Sequence, residues 1–527
     1  MPEEDKLFNK IMNECKNTGQ IVSVFYHDRW FNMIKRAIES FQKGECNKDL
    51  LILTGPRRVG KTTILSKLND EFKKYACYVN IEDSYIRKYI STHSLKDLVV
   101  SLHEITGRNI FMLDEITSLE QDWSRAVKEL WDYLEKNNLK IFIIITGSAG
   151  ILISNKYSDI AGRSEHCKSG EHKLSNPLTI LPKKFSELLP RKLYKSPYFK
   201  SIIPLKKQER LEILIKIARA ERSEIEYVNR ILKGINIITQ KQQKISLSKY
   251  MRAVLDDFLL RGGFPQLLQA RLSINNPHND VYGIATNILD SIHKDAILLS
   301  LKDVETKKFL LAYKNTAKIS ALIDITKLEN ELKRLLNTTN KKSDPNLISK
   351  LISFFEDAHI LVKADPLIVD EDTKSNTNLK KLFLIDPALF WALYYNDIDF
   401  SRYTKELGYS TTIVGFLLEH TVCSHLIRLG RSIQLEFYND GETDIDCIFE
   451  LHGNKIFLQV ERSENEVQKD LERTANIIQK IKEKDKSGLK NYYPISVVYD
   501  LDEIRVYNLP NGQIGVAIPT HYFLSLI

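Results

Sequence analysis

Gly55-Pro56-Arg57-Arg58-Val59-Gly60-Lys61-Thr62-Thr63 lies between the apolar run Leu50 to Leu53 and the helix-like stretch Ile64 to Phe72. A phosphate cradle needs such a loop, with glycines at its turns, a lysine after the second and a hydroxyl next. Backbone N–H groups then curl around a β-phosphate, Lys61 reaches the β- and γ-phosphates, and the Thr62 hydroxyl ligates Mg2+. The helix that follows adds the positive end of its dipole. All nine residues are therefore expected to bind a nucleoside triphosphate; a Gly-rich turn is the plainer alternative.

Working outward, Ala76 to Ile81 reads as a second buried strand. Asn109 to Leu113 is a third and runs straight into Asp114-Glu115, which puts two carboxylates at the carboxyl end of a buried strand, where α/β sheets bind ligands. Asp114 is expected to hold Mg2+ through its water shell and Glu115 to orient and deprotonate an attacking water, with a bare helix start as the alternative. Ser118 and Gln121 read as a capping box before a helix whose apolar face includes Trp123, Val127, Leu130 and Trp131. Lys140 to Ile145 is a fourth strand, ending in Thr146-Gly147-Ser148, whose hydroxyls at Thr146 and Ser148 are assigned to sensing the γ-phosphate. This order permits, without proving, an extra strand between the loop strand and the acidic strand, the feature that separates ATP-hydrolysing enzymes from simple kinases. Arg163 in Ala161-Gly162-Arg163 is the arginine-finger candidate, in cis or from a neighbouring subunit, against a solvated loop arginine. Pro177 to Glu187 supplies a fifth strand and a helix.

With 527 residues, 43% of them hydrophobic and 27% charged, the chain is too long for one core and too apolar for general disorder. Three or four domains are expected. The longest apolar stretch, Ile141 to Ile153, is broken by Thr146, Gly147, Ser148 and Gly150 and is shorter than the roughly 20 residues of a membrane span. Pro2 to Asp5 is acidic, unlike a secretory leader, so a cytoplasmic protein without a membrane partner is expected. The six cysteines form no Cys-x-x-Cys pair and read as reduced thiols, while His166, Cys167 and His172 lack an evident fourth metal ligand. A net charge of +8 is a mild bias towards anionic partners.

Together the phosphate loop, Leu113-Asp114-Glu115-Ile116, Ile145-Thr146-Gly147-Ser148, Ala161-Gly162-Arg163, Leu181 to Leu189 and Arg261-Gly262-Gly263-Phe264-Pro265 make the chain resemble the prokaryotic, largely archaeal AAA-type ATPases with a restriction-nuclease-like C-terminal domain. The resemblance is strongest from Asp49 to about Phe185 and around Gly262 to Pro265, and weakens over the lysine-rich span 200–246, which looks like an enlarged helical insertion. It implies ATP and Mg2+ as cofactors and an α/β fold: a P-loop NTPase core with a parallel sheet, a helical lid, a winged-helix domain and a C-terminal restriction-endonuclease-like domain. The corresponding ranges are an N-terminal segment 1–21, the core 22–200, the lid with its basic insertion 201–300, the winged helix 301–398 and the nuclease-like domain 399–527. In that family the Gly-Gly-x-Pro segment faces the nucleotide, which implies that Gly262, Gly263 and Pro265 relay its state outward and brings Arg261 within reach of phosphate. Read from the residues alone, the segment is a helix-breaking turn.

In the distal half, Ile319 to Ile325, Leu328 to Leu336 and Asn346 to Ala358 are expected as three helices, with Leu361 to Leu367 and Lys380 to Ile385 as wing strands. The exposed side of the third helix offers mainly Asn346, Ser349 and Lys350, a thin set for reading bases. Gly415 to Leu429 is a helix, followed by strands at Ser432 to Tyr438, Asp444 to Leu451 and Lys455 to Glu461, an order that resembles restriction-endonuclease-like folds. Glu419 and Asp446 match two metal-holding positions of such sites, whereas Gln459 and Glu461 stand where the resemblance calls for a carboxylate and a lysine. That departure points to a degenerate site, although Asp444 with the other acids could gather a cation by a rearranged geometry. The implied function is an ATP-hydrolysing switch acting on double-stranded DNA or a protein partner, with its oligomeric state open. The alternatives are an ATP-dependent DNA endonuclease and a signalling or scaffold ATPase without nucleic acid.

Overall fold

Leu50 to Leu53 carry no polar alternation because both faces of their strand are covered. The computed structural model describes residues 28–119, 122–147, 168–169, 172–173, 177–190, 193–238, 244–272, 277–293, 301–317, 321–337, 346–369, 378–395, 411–429, 433–484 and 491–527. The first sheet is built from β1 (Asp49–Thr54), β2 (Ala76–Asn80), β3 (Ile110–Asp114), β4 (Phe142–Thr146) and β7 (Leu178–Thr179). A two-residue hairpin of β5 (Lys168–Ser169) and β6 (His172–Lys173) stands apart from it. The strand order is β2-β3-β4-β1-β7, all parallel, so β4 is the strand inserted between the loop strand and the acidic strand. Its Ile144 pairs with Leu51 on one side and Met112 on the other.

Helices Asp28–Gln42 and Lys61–Glu71 cover one face of this sheet, and helices Ser84–Thr92, Leu95–Thr106 and Trp123–Lys136 the other. The last of these begins differently from the expected capping box. Asp122 caps it by accepting from the Ser124 N–H at 3.1 Å, while Ser118 ends a single 3-10 turn, Ile116–Ser118. Asp122 sits next to the first helical N–H groups, which a side chain four residues earlier does not reach.

Helices Lys207–Ala218 and Arg222–Gly234 and the hairpin β8 (Asn236–Ile238) to β9 (Lys244–Ser246) form the lysine-rich insertion. They lead into the lid helix Leu247–Arg261, a turn at Gly262 to Phe264 and the short helix Pro265–Gln269. Beyond lies one nine-stranded mixed sheet of β10 (Leu322–Asp324), β11 (Leu361–Pro366), β12 (Leu379–Leu384), β13 (Glu436–Asn439), β14 (Asp444–Leu451), β15 (Asn454–Glu461), β16 (Asn491–Val498), β17 (Arg505–Asn508) and β18 (Ile514–Pro519). Its order is β10-β12-β11-β13-β14-β15-β16-β18-β17. The helix expected at Ile319 to Ile325 is instead, in its described part, the strand β10. Asp324 ends that strand and caps the helix Ile325–Leu335 through the N–H groups of Thr326 and Lys327; helix Asp303–Thr316 is the first of the three helices here.

One large hydrophobic core draws on residues from Phe185 to Ile527, so the ranges 201–300, 301–398 and 399–527 share an interior, and two smaller clusters lie within the last range against helix Val467–Lys484. The sheet is continuous as well, because β11 pairs with β13 in parallel at Asp365↔Glu436 and Pro366↔Phe437. Cys423 on helix Thr411–Leu426 is joined to Cys447 on β14, with Cα atoms 6.3 Å apart, and Cys46 is also disulfide-bonded; Cys77 is free. This corrects the reading of six reduced thiols, which rested on the lack of close pairs along the chain, whereas Cys423 and Cys447 are 24 residues apart. Among the described residues no helix is long and apolar enough to cross a membrane.

Candidate functional site

Residues 55–60 turn sharply because three of them adopt the left-handed or an even more open backbone: Gly55 at φ 142°, Arg58 at 61° and Gly60 at 99°. Gly55 also has no room for a side chain, since a Cβ there would lie 2.0 Å from the Ile180 carbonyl oxygen. Lys61 opens the helix that follows, is buried, and donates its ammonium to the Gly55 and Pro56 carbonyls at 2.8 and 3.0 Å. Thr62 and Thr63 are exposed at the same helix start. The loop thus gathers amide donors, an ammonium and two hydroxyls around one cavity.

Across that cavity stands the acidic strand end. Asp114 is buried; it accepts hydrogen bonds from the Thr146 hydroxyl and, at 2.7 Å, from the Tyr78 hydroxyl. Thr146 accepts in turn from the Glu115 N–H at 3.0 Å, so one hydroxyl ties both acids to β4. Glu115 has a φ of 54°, a left-handed conformation that costs a non-glycine residue about 1–3 kcal/mol and clusters at functional sites. Burial, with Asp114 beside it, holds the Tyr78 hydroxyl well above its usual range, so Tyr78 stays a donor. The donor set suits Mg2+, which prefers carboxylate, hydroxyl and water oxygens: Thr62 and Asp114 would hold it.

The helix Pro265–Gln269 borders the same cavity. Pro265, Gln266 and Gln269 share a cavity of about 290 Å3 with Arg58, Gly60, Lys61, Thr62, Thr63 and Glu115. Arg58 Nη1 lies 3.5 Å from Gln266 Oε1. Arg261 turns the other way. Its guanidinium donates to Asp257 at 2.7 Å and to the carbonyls of Leu267 and Ala270 at 3.2 and 2.8 Å, so it clamps the turn, is buried and does not line the cavity.

Gly262 and Gly263 face a junction behind the cavity. Gly263 N–H donates to Asp386 Oδ2 at 2.7 Å, and its carbonyl accepts from the Lys183 N–H at 2.9 Å. Asp386 is buried, lies just after β12, and also caps helix Pro387–Tyr394 through the Ala388 N–H; burial pushes its carboxyl up to about 6 against the pull of those two amides. Arg428 reaches the Pro182 and Ile385 carbonyls at 2.9 and 2.7 Å, and Lys184 reaches the carbonyls of Arg428 and Ile527. One small region therefore touches the exit of the first sheet, the lid, β12 and the C-terminal helix. Burial, helped by the charges of Lys61 and Arg428, holds His359 down at about 4, so the loop lysine's field extends into the turn between helix Leu347–Asp357 and β11.

A second cluster lies in the distal sheet. Glu419, Asp444 and Asp446 surround the ammonium of Lys381 from β12, at 3.0, 3.0 and 2.9 Å. Gln459 donates to the Asp444 carbonyl at 2.6 Å, and Glu461 stands apart beside Asp470. Burial pushes the carboxyl of Glu419 up against the pull of the Lys381 ammonium and, with Asp446 and Asp470 nearby, raises that of Glu461 to about 9. The Lys381 ammonium, which burial alone would lower, is instead held above its ordinary range by the three acids.

The structure thus brings together the loop, Asp114, Glu115, Thr146 and Pro265, and sets Gly262 and Gly263 behind them. Ser148 and Arg163 lie outside the described residues, as do His166 and Cys167. Sequence reasoning missed Tyr78, Gln266, Gln269, Asp386 and Lys381; only the two glutamines carried a signal, their helical spacing just after Pro265.

Residues 47–189 match the family model described as an AAA domain, which makes this part of the chain an AAA-type ATPase domain. An uncharacterized protein of Methanocaldococcus jannaschii is 28% identical over 177 residues, covering 31% of this chain and 34% of that protein. The match thus spans about a third of the relative's length. Among solved structures, the Holliday junction branch migration motor RuvB of Thermotoga maritima is 12% identical, covering 63% of this chain and 88% of its own, with a TM-score of 0.25. A structure addressing katanin self-assembly is 13% identical, covering 63% and 89%, with a TM-score of 0.23. PCH-2 of C. elegans is 15% identical, covering 63% and 72%, with a TM-score of 0.22. At such scores no partner transfers to this chain.

Proposed function

We propose that the chain hydrolyses ATP between its phosphate loop and lid and uses the nucleotide state to shift the distal body against the AAA domain. The observation that carries this reading is the shared cavity: the loop, Glu115 and the lid residues Pro265, Gln266 and Gln269 line one space, while the turn just before Pro265 is bonded to Asp386 in the distal body. Lys61 exchanges its loop carbonyls for the β- and γ-phosphates, and the Gly55 to Thr63 amides take the remaining phosphate oxygens. Glu115 accepts a proton from the attacking water, and Thr146 fixes the positions of both acids. Mg2+, which Thr62 and Asp114 would hold, would neutralise charge on the phosphate oxygens. Gln266 and Gln269 donate amides to the nucleotide from the lid side, and Gly262 and Gly263 pass the lid's position to Lys183 and Asp386.

In this reading the three helices and the antiparallel strands β10-β12-β11 act as a winged helix, and the strands from β13 onward as a nuclease-like module without cleavage activity. The load is double-stranded DNA or a protein. Exposed Asn346, Ser349 and Lys350 are a small surface for a duplex, so salt-dependent gel shifts with and without ATP distinguish the two. The engine is tested by two substitutions. Lys61→Ala is expected to abolish nucleotide binding in calorimetry, whereas Glu115→Gln retains binding and loses about 10²–10⁴-fold in turnover. Wild-type turnover in Glu115→Gln removes the proposed base.

A further inference from the structure

A lysine removed from water needs its charge matched by neighbours, and Lys381 meets that need in full. It is 0% exposed, and each of its three ammonium donors has a different carboxylate: Glu419 Oε1 on helix Thr411–Leu426, and Asp444 Oδ2 and Asp446 Oδ1 on β14. The second oxygen of each acid is also engaged, Glu419 by the Ala321 N–H at 3.4 Å, Asp444 by Asn439 at 3.4 Å and Asp446 by the Val460 N–H at 2.8 Å. The Phe437 ring lies 5.9 Å from the ammonium. Two of these acids, Glu419 and Asp446, are the ones that the resemblance marks for a divalent ion, and Asp444 is the acid that could join them. Mg2+ needs oxygens at about 2.0–2.1 Å, and the point equidistant from these three already holds an ammonium at 2.9–3.0 Å. Among the described residues no group of three His, Cys, Asp or Glu side chains is arranged to hold a metal. The metal of an active nuclease-like centre therefore does not fit this site.

We infer that Lys381 is a built-in cation that takes the place of a divalent metal in the Glu419, Asp444 and Asp446 site. It closes that site to metal and so to metal-dependent phosphodiester cleavage, and it binds β12 to the sheet beyond β13. The assignment holds whether or not the AAA domain hydrolyses ATP.

The test counts Mn2+ bound by the full chain, using electron paramagnetic resonance on the wild type, Lys381→Ala, Asp446→Asn and the double variant. Ions held at the nucleotide cavity are common to all four and cancel. Lys381→Ala is expected to bind one Mn2+ more than the wild type and to gain several degrees of melting temperature from Mn2+; the double variant loses both effects. Wild type and Asp446→Asn are expected to bind equal numbers. An ion lost from the wild type on Asp446→Asn substitution overturns the inference, because it places metal in the native site. Equal counts in the wild type and a folded Lys381→Ala overturn it too. Should Lys381→Ala fail to fold, the wild type and Asp446→Asn pair decides alone, equality supporting the closed site and loss refuting it.

Discussion

Glu461 shows how one residue's surroundings set its chemistry. Burial and the nearby Asp446 and Asp470 raise its carboxyl from the ordinary 4.5 to about 9. Between those two values the folded chain keeps a proton that the unfolded chain has released, so this group's contribution to stability is full below about pH 4.5, falls as the pH climbs and levels off above about 9. Glu461→Gln is expected to flatten that decline, leaving the variant several degrees more stable than the wild type at pH 9 and close to it at pH 5 in thermal melts. The position was legible as the one where a lysine was missing; its proton was not, because Asp470 approaches only through folding. Tyr78 was hidden for a similar reason. Its hydroxyl finds Asp114 from the neighbouring strand, 36 residues away, through a register that no local pattern displays. Asp114, Glu115 and Lys61 were legible because a strand end and a loop start fix their surroundings within a few residues.

At the scale of elements, the turn between the lid helices is tightly enclosed. A Cβ on Gly263 would lie 2.1 Å from the Lys183 carbonyl oxygen, and one on Gly262 would lie 1.9 Å from Asp386 Oδ1. Both neighbours are fixed, one as backbone and the other as a helix cap. Gly263→Ala is therefore expected to cost about 1–3 kcal/mol of stability and to remove the ATP-dependent change in amide exchange at β12, while nucleotide binding persists. Preserved coupling in a folded Gly263→Ala argues against this path. The residues alone read Gly262 to Pro265 as a breaker, and the resemblance turned Gly262, Gly263 and Pro265 towards the nucleotide; in the fold Pro265 lines the cavity while Gly263 is bonded to Asp386 and Lys183, a division set by the helix Pro265–Gln269 beginning at the proline. Strands β1 to β4 and β11 to β15 were largely readable because buried strands are nearly uninterrupted apolar runs. Strand β10 was not, since three residues carry too little periodicity to tell a strand from a helix.

At the scale of the whole molecule, the described residues form two faces of core around the first sheet, one large core beyond it and two smaller clusters against helix Val467–Lys484. The resemblance implied separate ranges after residue 200, and length and composition only a number of domains; shared burial is a long-range property that neither displays. Leu417, Leu418, Phe437 and Leu458 of the last unit belong to the same core as Phe258, Phe309 and Trp391. The fragment 399–527 is accordingly expected not to fold alone, giving weak circular dichroism and aggregation, whereas a fragment beginning near residue 177 folds. A well-folded 399–527 would show that the shared interior is dispensable. The narrow join of β11 to β13 has a mechanical meaning. Asp365 N–H to the Leu435 carbonyl and Leu367 N–H to the Phe437 carbonyl carry it, with Lys381 anchored alongside. The far end of the ribbon is tied to the helix Leu247–Arg261 directly as well, Arg252 donating to Asp502 at 2.8 Å and the Tyr499 hydroxyl to Asp256 at 2.6 Å, so a sheet held at both ends is expected to move as one body with that helix rather than to flex along its length.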